Sequence, residues 1–244
     1  LNFAWLVANA VMPGFALKQG DAEQLRSAFL RTFKALTATT LPIHVLLFVL
    51  TPQIFGVFQE KWAPAAVLFR ILLVMGALRS LTAHHVPLFN TVGRADITFH
   101  YFLAVATAGI PGMYFGCRFF GLPGLAWATC ILFCGATSIM LYLTPRLLGW
   151  ERIAYVRENM PFILASAAAG AAGYAAAHGL ERIGTPPLAG FFAAGGLGCV
   201  CYVLALYAGA RRELWHVVEL VLPNRLRGKY VEALFSSVKS GKPA

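Results

Sequence analysis

Seven stretches of the sequence, at about 1–16, 35–58, 64–90, 97–117, 122–143, 160–180 and 186–209, stay apolar long enough to approach or exceed the width of a lipid bilayer. A hydrocarbon core about 30 Å thick is crossed by about 20 helical residues at 1.5 Å each. Within that core every backbone N–H and C=O must be satisfied by the chain itself, which only helices and closed barrels achieve. The runs lack the alternating pattern of barrel strands, so the expected fold is all-α, a polytopic transmembrane helix bundle of about seven spans, the first of them short. Composition agrees: 59% of the 244 residues are hydrophobic and only 12% are charged, where a soluble domain has about a quarter. Breakers stand between most runs, at Gly20-Asp21, Lys61 to Pro64, Gly93-Arg94, Gly121 to Gly124 and Gly184 to Pro187.

The formal charge of +10 is compatible with nucleic acid, a membrane surface or an anionic substrate, and placement decides among them. Fifteen of the 20 basic residues fall on the side reached after the first run: Lys18, Arg26, Arg31 and Lys34, then Arg94, then Arg146, Arg152 and Arg157, then seven in the tail. Lys61, Arg118 and Arg182 fall on the other side. By the positive-inside rule the richer side, with the C-terminus, is cytoplasmic, and no nucleic-acid role is expected. Residues 210–244 repeat apolar positions at helical spacing (Leu214, Val217, Val218, Val221) beside basic ones, the pattern of a helix lying in the membrane interface or of a solvated basic tail. Leu1 opens inside an apolar stretch, so a piece of a longer protein is expected. The five cysteines fall mostly in apolar runs without histidine company and read as packing residues; no metal or cofactor is expected.

The third run carries two full charges. Arg70 lies six residues, about 9 Å, past Pro64, where its stem could snorkel to the interface. Arg79 lies fifteen residues in, about 22 Å, near a midpoint at Gly76. A lipid-facing arginine at mid-depth costs at least about 2.5–3.5 kcal/mol, so Arg79 is expected to face the bundle interior. All ten acidic residues fall in loops, span ends or the tail, which leaves two readings: a cation lining a wet path for an anionic ligand, or a structural group bonded to carbonyls or to a partner outside this sequence. His44 follows Pro42, whose missing N–H kinks the helix or frees the carbonyl of residue 38. It is read first as a packing histidine and second as a ligand or proton contact. His84, His85 and His100 sit where water is expected to reach them. The sixth run is rich in Ala and Gly, which with Gly195, Gly196 and Gly198 suits close helix packing.

No reaction motif is present: no G-x-S-x-G, no H-E-x-x-H, no P-loop lysine and no carboxylate pair within a cavity-forming span. No catalytic residue is assigned, and an enzyme is not expected.

Several pieces in order, Pro13-Gly14-Phe15 with Gly20-Asp21, Lys61-Trp62, Gly93-Arg94, and Gly121 with Gly124, resemble the polysaccharide and lipopolysaccharide-precursor exporters of the multidrug/oligosaccharidyl-lipid/polysaccharide superfamily over about residues 10–135. The resemblance implies a fourteen-span fold of two six-helix lobes plus two helices, of which this chain would hold spans eight to fourteen. On that reading, residues 1–143 are second-lobe helices, 144–159 a cytoplasmic loop, 160–209 the two additional spans and 210–244 a cytoplasmic tail. It further implies a flippase of the bacterial inner membrane, moving undecaprenyl-diphosphate-linked O-antigen or exopolysaccharide repeat units by alternating access. The partners implied are the anionic lipid-linked oligosaccharide, membrane lipids, and a polysaccharide polymerase with other assembly proteins. Arg79, and with less weight Arg70 and His44, would lie on the substrate path, on burial logic rather than on the motif. A drug or organic-ion exporter of the same superfamily and a non-transporting scaffold of a polysaccharide synthesis complex stay open.

Overall fold

The computed structural model describes Phe15 and residues 21–58, 60–151 and 156–211, and among these residues the secondary structure is entirely helical. Five helices are long and apolar enough to cross a membrane. The expected run at 1–16, apart from Phe15, and the tail beyond Arg211 lie outside the described residues.

Helix α1, Ala22–Val49, begins thirteen residues before the apolar run expected from 35. The reason is a cap: the Asp21 carboxylate accepts from the N–H groups of Glu23 and Gln24 at 2.9 and 3.1 Å, and Ala, Glu, Gln, Leu and Arg then carry the helix through its polar start. The Gln24 N–H, the largest influence, holds that carboxyl below its ordinary range. A short α2, Thr51–Phe55, with Pro52 in its first turn, continues the chain after Leu50. A 3₁₀ turn, Glu60–Trp62, then leads into α3, Ala63–Thr82.

The run expected at 64–90 is broken rather than straight, since α3 stops at Thr82 and α4 covers His85–Thr91. Pro87 has no N–H to return to the carbonyl of Ala83, so the ladder is interrupted where the break falls. Gly93, at φ +75°, turns the chain into α5, Ala95–Leu147.

α5 consists of two helical arms joined at Gly121, where the backbone leaves the helical conformation and reverses. The angles there, φ 63° and ψ −151°, are open essentially to glycine alone. Gly109 lies against Leu132 and Gly116 against Gly124, so the two halves run back along each other as a hairpin. Its arms correspond to the runs expected at 97–117 and 122–143. Helices α6, Met160–Arg182, and α7, Pro187–Gly209, each start with proline in the first turn and match the last two runs closely.

α1 is the centre of the arrangement, with α3 on one side and α6 on the other; α7 packs on α6 and the hairpin on α3. Leu46 fits the notch left by Gly198 of α7 and Gly173 of α6, and Val45 fits the notch at Gly170. Small residues let helices approach where lipid supplies no hydrophobic drive. Hydroxyls on the helices return to their own carbonyls, Thr37 to Phe33, Thr40 to Leu36, Ser80 to Gly76 and Ser166 to Phe162, which satisfies them without water. At one end of the bundle Lys34 pairs with Glu158, and the Arg26 guanidinium lies 4.2 Å from the Trp150 ring centre.

The carbonyl of Ala38, left without its helical donor by Pro42, is taken by the Tyr202 hydroxyl of α7 at 2.7 Å. α1 runs through Pro42 without interruption, and the freed acceptor becomes a tie between α1 and α7.

Candidate functional site

Arg70 and Arg79 are nine residues apart on one helix, about two and a half turns, so they project from opposite faces and lie about 14 Å apart along the axis. The contacts follow that geometry. Arg70, half-buried, turns toward α1, its guanidinium carbon 5.7 Å from the Phe48 ring centre and its Nε buried with no hydrogen-bond partner among the described residues. Arg79 turns toward the hairpin, 4.8 Å above the Phe133 ring. A cation over an aromatic face is stabilised by about 0.5–2 kcal/mol, more as water is excluded. The two arginines therefore do not form one site.

Arg79 lies in the last turn of α3, where unpaired carbonyls carry partial negative charge that favours a cation. It is exposed. Among the described residues no carboxylate comes within ion-pair distance of it. Asp96, at the start of α5, is committed to Arg94, which donates from Nε and Nη2 at 2.9 and 3.0 Å. Arg79 therefore sits exposed on an open face of the described helices, against the Phe133 ring, and not in their interior as its depth led one to expect.

His44 is placed on the α1 side, away from Arg79's contacts. Its Nδ1–H donates to the Thr40 carbonyl at 2.7 Å, which leaves Nε2 against Gly76 of α3. A methyl group at Gly76 would come within 2.8 Å of that nitrogen, so glycine is what lets the imidazole seat. This is packing geometry.

The expectation that water reaches His84 and His85 is overturned. Both are fully buried at the α3–α4 break, with ring centres 4.5 Å apart. The Phe29 and Phe33 rings of α1 lie 4.7 and 4.9 Å from the His84 ring, and neither His84 nitrogen has a hydrogen-bond partner among the described residues. The i, i+4 phenylalanine pair on α1 was the available signal: it makes an aromatic wall one turn deep. His100 remains exposed, its Nδ1–H donating to the Asp96 carbonyl. Among the described residues no group of three or more His, Cys, Asp or Glu is placed to hold a metal ion.

No family model matches the sequence, and no solved structure matches it. Two curated proteins do. The teichuronic acid biosynthesis protein TuaB of Bacillus subtilis is 24% identical over 202 residues, 82% of this chain and 42% of that protein. The lipopolysaccharide biosynthesis protein WzxC of Escherichia coli is 27% identical over 124 residues, 49% of this chain and 25% of that protein. The chain spans less than half the length of either relative. It is a membrane protein distantly similar, over part of its length, to exporters of the polysaccharide-biosynthesis family.

Proposed function

We propose that this chain is the second-lobe portion of a flippase that carries lipid-linked polysaccharide precursors across the inner membrane of a bacterium. Its described helices then correspond to spans nine to fourteen of a fourteen-span exporter, with the two hairpin arms counted separately. The similarity to two proteins named for the biosynthesis of cell-surface polymers supports the class of cargo. The observation that carries the reading at residue level is Arg79: an exposed cation well inside an apolar span, with no carboxylate partner among the described residues. A diphosphate or an acidic sugar is the complementary charge. The cargo would pass Arg79 as the lobes alternate access, and Arg70, facing α1, would hold the helix pair together rather than touch cargo. A non-transporting scaffold predicts that in the full-length protein Arg79 contacts helices and never solvent, with no loss of transport to measure.

The test is translocation of a lipid-diphosphate-linked oligosaccharide by the full-length protein in proteoliposomes, with Arg79→Ala and Arg79→Lys at matched expression. Loss in Ala with partial recovery in Lys is expected. Unchanged transport in both would remove Arg79 from the path, and no transport by the native protein would remove the flippase reading.

A further inference from the structure

The α5 hairpin is shut at its Gly121 end and open at the other. A methyl group at Gly116 would stand 2.7 Å from the Gly124 carbonyl oxygen, and one at Gly109 would stand 2.8 Å from Leu132 Cδ2. Beyond Gly109 the arms part, and a cavity of about 630 Å³ opens between them, within the range of about 300–1,000 Å³ typical of small-molecule sites. Ala104 and Ala108 of one arm and Gly135 and Ile139 of the other line its apolar length.

Three features restrict what fills it. The cavity runs from Asp96 to Ala108, twelve residues or about 18 Å, and ends where the arms close; that is close to one leaflet of a hydrocarbon core about 30 Å thick. A helix crossing the bilayer would need the recess to continue past Gly109, where it is shut. The polar lining, Asp96, His100 and Tyr101, is confined to the end beside the Gly93-Arg94 turn. At that end Arg94 neutralises Asp96 with two of its donors and keeps others free for an anionic group.

We infer that this cleft binds one anionic glycerophospholipid from the leaflet on the Gly93-Arg94 side, an acyl chain between the arms and its phosphate at the mouth lined by Asp96, His100 and Tyr101, where Arg94, having neutralised Asp96, has donors to spare. Anionic lipids concentrate in the cytoplasmic leaflet, the side to which the basic residues assign that turn. The lipid holds the hairpin's open end apart and fills volume that lipid tails would otherwise enter without order.

The experiment reconstitutes the full-length protein in phosphatidylethanolamine vesicles containing phosphatidylglycerol with a photoreactive group in its acyl chain, and maps labelled peptides after illumination. Labelling at 104–108 and 135–139 several-fold above that at exposed Phe119 and Leu122 is expected. Gly135→Leu, at a position with open space around it, should fill the cleft and remove that excess, while Gly112→Leu, equally open but outside the cleft, should leave it. Even labelling of all exposed faces, or an excess that survives Gly135→Leu, would overturn the inference. So would displacement of the probe by a polyprenyl phosphate but not by phosphatidylglycerol, or protection of both peptides by a crosslink to another helix of the protein. The readout is occupancy, so it stands or falls separately from transport.

Discussion

Replacing Tyr202 by Phe keeps the ring and removes one hydroxyl, which makes it a direct measure of the tie between α7 and α1. The Ala38 carbonyl is buried in α1, and Pro42 denies it the usual donor four residues on. Deleting the Tyr202 hydroxyl removes the donor that replaces it and leaves a buried acceptor unpaired, a loss of about 1–3 kcal/mol by soluble-protein measures. Interhelical hydrogen bonds in membrane proteins average nearer 0.6 with a maximum near 1.7 kcal/mol, so about 1–1.5 kcal/mol is expected at a 2.7 Å bond to an otherwise orphaned group. The cause can be isolated with Pro42→Ala, which restores a backbone N–H to that carbonyl. In the Pro42→Ala background Tyr202→Phe should cost close to nothing, giving a coupling energy of about 1 kcal/mol in a double-mutant cycle. Equilibrium unfolding of the purified full-length protein in mixed micelles, followed by helical circular dichroism, measures all four corners. Equal costs of Tyr202→Phe in both backgrounds would refute the reasoning, because the hydroxyl would then be acting on something other than the carbonyl freed by proline.

Two further substitutions test the glycine geometry. Gly121→Ala places a side chain at φ 63°, ψ −151° and should cost about 1–3 kcal/mol, read as a lowered melting temperature in a thiol-reactive dye assay, whereas Gly112→Ala, in open helix, should change it little. Gly198→Val drives a side chain into Leu46 and the Ala169 carbonyl and should destabilise by about 1–3 kcal/mol in the same assay, while Gly196→Val, with open space around it, should not.

The apolar runs gave α6 and α7 to within a residue or two, because there the edge of hydrophobicity and the helix boundary coincide at a proline. They misplaced the start of α1, since a run marks what lipid can accept while Asp21 decides where the helix begins. They drew 64–90 as one rod, although Pro87 stands in it and removes a ladder bond. The carbonyl freed by Pro42 was legible; its recipient, Tyr202, was not, since 164 residues separate the two and only packing joins them. The separation of Arg70 and Arg79 onto opposite faces is written in their nine-residue spacing, yet depth alone put them on one path. The burial of His84 and His85 depends on Phe29 and Phe33 arriving from another helix: their i, i+4 spacing marks an aromatic face, but only packing shows what that face covers.

The opposed arginines also bear on how α3 can move. A helix with a charge on each side is keyed like a shaft: rolling it by a quarter turn would strip Arg70 from Phe48 and Arg79 from Phe133 together, and would swing a guanidinium toward hydrocarbon at a cost of at least about 2.5–3.5 kcal/mol. Torsion about its own axis is therefore blocked in both senses. What remains to it is tilt, with the unladdered joint at Ala83 and His84 as the pivot.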